Sequence, residues 1–172
     1  MIMETERLRL RELTPEDLDA LYAVLGDSDI MRHYPYTFDT ARVGNWIRRN
    51  QQRYGVFGFG LWTVCRKDTG ELIGDCGITM QQIDRVILPE IGYHIRRDCQ
   101  RQGYAREALA AVIQAFFEKT DTVLFTGGHY AYNTISGELL KMLGFTYEGI
   151  EHKAMRHAER GPTDLVCYYL EK

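Results

Sequence analysis

The sequence has only four cysteines, Cys65, Cys76, Cys99 and Cys167, and no two stand close enough to form a C-x-x-C pair. That spacing excludes a zinc ribbon and a thioredoxin-type motif, and it suits a reducing compartment. No apolar run approaches the ~18 residues needed to cross a bilayer. The first eleven residues alternate charged and apolar side chains and lack the apolar block of a secretion signal. A cytoplasmic location with no membrane partner is therefore expected. Positive charge is not in excess either: 21 Lys and Arg face 24 Asp and Glu, for a net charge of −3. No global field gathers nucleic acid, so none is expected as a partner, and any anion site must come from a local cluster. Linkers, internal repeats and low-complexity segments are also missing. The 172 residues are expected to form one domain, 1–172, large enough to bury a core without staples.

Periodicity then sets out the elements. Leu8, Leu10 and Glu12 alternate with Arg7, Arg9 and Arg11, as in a strand with one polar face. Thr14-Pro15-Glu16-Asp17 supplies an N-cap, a proline for the first helical position and early acids. The helix it starts carries Leu18, Leu21, Tyr22 and Leu25 on one stripe and stops at Gly26. A second, more polar helix is expected from Thr40 to about Tyr54. Strands are expected over 59–66, 71–82 (weakened or bent at Gly74 and Gly77), 89–95, 123–126, 145–151 and 164–170. Between them the 3.6-residue period of Ala105, Ala108, Leu109, Val112, Ile113 and Phe116 marks a helix, and another is expected over 134–143. Hairpins and helices mixed in this order predict a mixed α/β chain with a partly antiparallel sheet covered by helices.

Chemistry concentrates between Ile91 and Leu109: a strand, a basic loop with a glycine, then an amphipathic helix. The loop region holds Arg96, Arg97, Arg101 and Arg106 against one acid, Asp98. A helix start presents unpaired N–H groups and partial positive charge, which favour phosphate. Gly103 lets a phosphate come close where a Cβ would interfere. On these residues alone, a pyrophosphate seat and a merely solvated basic turn both remain open. The loop is neither a P-loop nor a dinucleotide fingerprint, because the required lysine and glycines are missing.

Gln100-Arg101-Gln102-Gly103-Tyr104-Ala105 resembles the Q/R-x-x-G-x-G/A signature of the GNAT acetyltransferase superfamily, with a strand before it and a helix after. Asn133-Thr134-Ile135-Ser136 and Leu143-Gly144-Phe145 resemble that family's second motif. The opening T-E-R-L-R-L-R-E-L-T-P-E-D and the segment G-E-L-I-G-D-C-G-I are similar to the ribosomal-protein N-terminal acetyltransferase (Rim-type) subgroup. The resemblance implies a central, mostly antiparallel sheet of six or seven strands, splayed between the fourth and fifth. It implies acetyl-CoA as cosubstrate and a primary amine as acceptor: the α-amino group of a peptide or protein N-terminus, or a small amino compound. A CoA-binding sensor without transferase activity, or a polyamine or antibiotic acetyltransferase, are the alternatives. A homodimer is possible by analogy.

Carried onto this chain, the resemblance has Tyr93, His94, Ile95 and Arg96 meeting pantetheine, mostly through main chain. Gln100, Arg101, Gln102, Gly103, Tyr104 and Ala105 hold the pyrophosphate, and Asn133 reaches the pantetheine. Ser136 stands where Rim-type enzymes place a hydroxyl near the thioester sulfur, and Glu90 where relatives hold a base. On that reading Glu90→Gln costs more turnover at low pH than at high. One departure matters: relatives carry an acidic tyrosine where this chain has Leu140. His94 reads as a backbone contributor, not a base, and Cys99, among arginines, as a thiol of lowered pKa. Of Tyr34, Tyr36, Phe38, Tyr54, Phe57 and Phe59, most are expected in the core, with one or two lining an acceptor pocket. His152, Met155 and His157 lack the ligands to complete a metal site, so no metal is expected.

Overall fold

A computed structural model describes residues 3–34, 38–83, 86–157 and 161–172. Tyr36 lies outside the described residues, as do the side chains of Met155 and His157. The strands are β1 (Met3–Glu4), β2 (Leu8–Arg11), β3 (Leu61–Arg66), β4 (Leu72–Ile83), β5 (Val86–Ile95), β6 (Leu124–Tyr130), β7 (Thr146–His157) and β8 (Gly161–Glu171). The helices are α1 (Leu18–Leu25), α2 (Thr40–Phe57), α3 (Tyr104–Lys119) and α4 (Thr134–Met142). The strands form one mixed sheet in the order β1-β2-β3-β4-β5-β6-β8-β7. Eight strands replace the expected six or seven because Met3–Glu4 pairs with Leu10 and Arg9, and two residues are too few for alternation to reveal.

The remaining elements follow their sequence signals with instructive shifts. Asp17 accepts from the Thr14 amide at 2.8 Å and pairs with Arg11 at 2.7 Å, so the acid closes the start that Thr14 opens. The first turn is a 3₁₀ turn over Pro15–Asp17, and α1 begins at Leu18. β5 runs through Pro89, three residues earlier than proline suggested. The Pro89 carbonyl accepts from Thr126 Oγ1 on β6, so Pro89 turns its donor-less nitrogen to an edge that asks little of it. β4 runs through Gly74 and Gly77, paired to β3 and β5 on its two sides, and its register against β3 shifts at Gly74, where Val64↔Gly74 is followed by Cys65↔Leu72.

Two apolar clusters sandwich the sheet. Leu21, Val24 and Leu25 of α1 and Val43 and Ile47 of α2 pack with Cys65 and Leu72. On the opposite face Leu109, Val112 and Phe116 of α3 and Leu139 and Leu140 of α4 pack with Trp62, Ile78, Ile91 and Phe125. Every sheet pairing is antiparallel except β5 with β6, which meet in parallel at the single register point Glu90↔Thr126. Beyond it β5 stays bonded to β4 as far as Ile95, while β6 goes on to pair with β8. The two strands part there and leave a gap in the middle of the sheet.

Candidate active site

The gap is lined by polar main chain. Alternate residues of a strand direct their N–H and C=O to opposite edges. Arg96 donates its amide to Ile73 O on β4 at 2.7 Å, and by alternation His94 also turns to β4. Ile91, Tyr93 and Ile95 therefore present main chain to the gap, although the Ile95 carbonyl already accepts from Gln100 Nε2 at 2.9 Å. Of the four residues expected to meet pantetheine through the backbone, Tyr93 and Ile95 face the right way.

At the upper end of the gap the chain turns into α3. Gly103 is the N-cap, in the left-handed region at φ 84°, and Arg101 is there too, at φ 59°. A Cβ on Gly103 would stand 3.3 Å from an Arg7 guanidinium nitrogen. Arg7, which sequence reading assigned only to a polar strand face, braces this turn: it donates to Gln102 O at 2.9 Å, pairs with Glu107 at 2.6 Å and lies 4.5 Å over the Tyr104 ring. Tyr104 is buried and Ala105 packs against the core, so both serve the turn through their amides. The Gln102 side chain is turned back onto Asp98 O at 2.8 Å. The arginine cluster divides. Arg96 pairs with Asp98 at 2.7 Å, and Arg97 with Asp27 and Asp29 at 2.5 and 2.6 Å. Arg101 and Arg106 are exposed and have no carboxylate partner among the described residues. The turn thus offers free amides, a left-handed glycine and uncompensated positive charge, which together suit a phosphate.

Two groups flank the gap lower down. Side chains alternate along β5, so Glu90 and His94 point to the α1/α2 face, and Ile91, Tyr93 and Ile95 to the α3/α4 face. Glu90 is half-buried, and burial raises its pKa to about 7. No cation or donor among the described residues pairs with it, so it is not the arginine-paired carboxylate that a strand end often carries. On the other face, Tyr93 Oη lies 2.9 Å from Ser136 Oγ, and Asn133 Nδ2 donates to the same Oγ at 2.9 Å. Burial raises the Tyr93 pKa, and the Ser136 contact partly offsets the rise. Ser136 is held in place by what lies beneath α4: a Cβ on its neighbour Gly137 would come within 2.5 Å of His129 Nε2.

His94 is not a bare strand residue. Its Nδ1 is 2.7 Å from Asp75 Oδ1, its Nε2 is 2.8 Å from Tyr34 Oη, and Trp46 Nε1 donates to Asp75 Oδ2 at 2.8 Å. Asp75 is fully buried, and both of its oxygens have a hydrogen-bond partner, as a buried polar group requires. The network ties the α1–α2 loop, α2, β4 and β5 together. The available signal was an aspartate inside the apolar run of 72–78. Cys99 corrects the expectation of a lowered pKa: it is buried, and that burial pushes the thiol up. Among the aromatics, Phe38 is buried and Phe57 exposed, while Tyr54 takes the Leu13 amide at 3.2 Å and donates to Leu61 O. A cleft of about 290 Å3 lined by Phe38, Arg42, Asn45, Trp46 and Arg49 opens on the α1/α2 side, the side of Glu90. His152 pairs with Asp164 at 3.1 Å. Among the described residues no helix is long and apolar enough to cross a membrane.

Known proteins resemble this chain in sequence and in fold. Residues 7–146 match the model of the acetyltransferase (GNAT) domain. An uncharacterized protein of Bacillus subtilis, YkkB, is 36% identical over 116 residues, 67% of each chain. The uncharacterized N-acetyltransferase YoaA of the same organism is 29% identical over 99% of this chain and 97% of its own. Among solved structures, a GNAT-family acetyltransferase from Bacillus anthracis superposes with a TM-score of 0.85 at 23% identity, covering 99% and 98% of the two chains. RimL, a ribosomal L7/L12 alpha-N-protein acetyltransferase in complex with coenzyme A, superposes at 0.83 with 19% identity, covering 99% and 98%. These two likenesses speak to the fold. The domain match spans most of the chain, and with it the chain belongs to the GNAT family of N-acetyltransferases, whose acetyl donor is acetyl-CoA.

Proposed function

We propose that this N-acetyltransferase moves the acetyl group directly to an α-amino group, on a peptide N-terminus or a small amino compound, within the Rim-type branch of its family. In this reading the pyrophosphate of acetyl-CoA rests on the amides after Gly103, with Arg101 and Arg7 beside it. The pantetheine follows the open edge of β5 past Ile95 and Tyr93. When bound, the cofactor supplies an activated acetyl thioester; the chain supplies position and proton transfer. Glu90 takes the proton from the attacking amine on one face of the gap. Ser136 faces the leaving sulfur on the other.

The observation that carries this reading is Glu90, a carboxylate without a partner among the described residues whose pKa burial brings to about 7, at the point where β5 and β6 part. An α-ammonium, with pKa ~7.7–8.0, lies about one unit above that base, whereas a lysine side chain near ~10.4 lies more than three units above it. The α-amine is also roughly a tenth to a fifth neutral at pH 7. The cleft on the α1/α2 side carries Arg49, a positive charge that works against a polycationic acceptor such as a polyamine. The test is competition among a peptide with a free N-terminus and blocked lysine, its converse, and spermidine. The free N-terminus is expected to be acetylated at least ~10-fold faster at pH 7. Preference for the lysine peptide or for spermidine would overturn the acceptor class.

A further inference from the structure

We infer that Tyr93 is a positioning residue that supplies the proton Ser136 passes to the departing thiol, filling the role left open by Leu140. The inference rests on the reading of Ser136 given above. It comes from counting hydrogens. A serine hydroxyl has one O–H and two lone pairs, a tyrosine one O–H. Asn133 Nδ2 donates to Ser136 Oγ and so occupies one lone pair. The Tyr93 contact at 2.9 Å has two forms. Either Tyr93 donates and the Ser136 hydrogen is left over, or Ser136 donates and the Tyr93 hydrogen is left over. In both forms the trio has one hydroxyl hydrogen that no member of it accepts, beside the gap where β5 has lost its strand partner. Asn133 thereby acts as the clamp that keeps Ser136 an acceptor on one side and a donor on the other.

The proton count closes. The amine attacks the thioester carbon and gives one proton to Glu90. The C–S bond then breaks with its electron pair on sulfur. Sulfur takes the Ser136 hydrogen as Ser136 takes that of Tyr93. Glu90, now carrying one proton too many, and Tyr93, short of one, are restored through water, so amine and acetyl thioester become amide and thiol. Tyr93 has the proton to give because a phenol is protonated at neutral pH, whereas Leu140, whose side chain packs over Gly127, offers none.

The experiment is a kinetic double-mutant cycle of Tyr93→Phe and Ser136→Ala in the whole protein, with acetyl-CoA affinity and melting temperature measured in parallel. Tyr93→Phe keeps the ring and is expected to lower kcat ~10-fold or more, with KM for acetyl-CoA within about twofold of wild type. The double variant is expected to be no slower than the slower single variant, because both substitutions cut one relay. A second readout replaces the thiol of the donor with a more acidic one, which leaves without a proton; the Tyr93→Phe defect should then shrink toward wild type. An unchanged kcat in Tyr93→Phe with a damaged Ser136→Ala overturns the relay alone. So do multiplicative losses in the cycle, or a defect blind to the leaving group. A silent Ser136→Ala removes the reading of Ser136 itself, and the relay with it.

Discussion

Replacing Gly103 with glutamate is expected to weaken acetyl-CoA binding at least ~100-fold in titration calorimetry, about 2.7 kcal/mol. Two effects add. Gly103 has φ 84°, where an L-residue is strained by ~1–2 kcal/mol. The new carboxylate also stands at the first amides of α3. A negative side chain there is favourable for the helix itself, so the variant is expected to fold while its own carboxylate occupies the phosphate's place. Gly103→Ala separates the terms. Its Cβ meets only the flexible end of Arg7, at 3.3 Å, so that variant is expected to lose some stability and to keep most of its affinity. If Gly103→Glu binds acetyl-CoA like wild type, the pyrophosphate sits elsewhere.

Glu90→Gln is expected to do two opposite things: slow the enzyme and stabilise it. The folded chain raises this carboxyl from an ordinary value of 4.5 to about 7 by burial. The contribution of a raised pKa is fully present below the unfolded value and is lost as pH rises through the folded one. Between pH 4.5 and 7 the protein therefore carries a growing cost for keeping Glu90 charged, and above 7 it carries all of it. With a discount for the partly exposed position, that cost is ~1–2 kcal/mol. Glutamine, always neutral, removes it. The variant should melt a few degrees higher than wild type at pH 8 and at the same temperature at pH 4.5. Turnover should move the other way, falling ~10²-fold at pH 8, the usual scale for a lost general base. Below pH 7 the wild type protonates Glu90 and loses its own base, so the deficit narrows there. The sequence alone predicts the opposite dependence, because alkaline solution supplies the neutral amine itself; it is the raised pKa of Glu90 that makes the deficit narrow at low pH. A variant that is as active as wild type, or less stable at pH 8, would remove Glu90 from the mechanism.

Much of the fold was legible because strand and helix periods are local. The seven longer strands and four helices each leave a pattern of apolar residues, and Gly103 with its arginines stands out in a chain with no excess of positive charge. What was not legible depends on contacts between distant segments. Arg7 reads as one more charge on a strand face until it reaches Gln102 and Glu107, about a hundred positions away. Tyr93 reads as a half-apolar strand residue until α4 brings Ser136 to its hydroxyl, 43 residues on. Asp75 and His94 are unremarkable singly and become a buried network only when Tyr34 and Trp46 close over them. The raised pKa of Glu90 is of the same kind, since desolvation is a property of everything packed around the group.

The central claim is direct acetyl transfer in the gap between β5 and β6, and it is tested most directly by counting thiols. Wild-type protein, acetyl-CoA and a peptide with a free N-terminus should release one CoA thiol for each acetylated N-terminus, with no acetyl group left on the protein. Both products should disappear together in Gly103→Glu. Binding of acetyl-CoA with no thiol release for any amine, or an acetylated protein formed before the acetylated peptide, would contradict it.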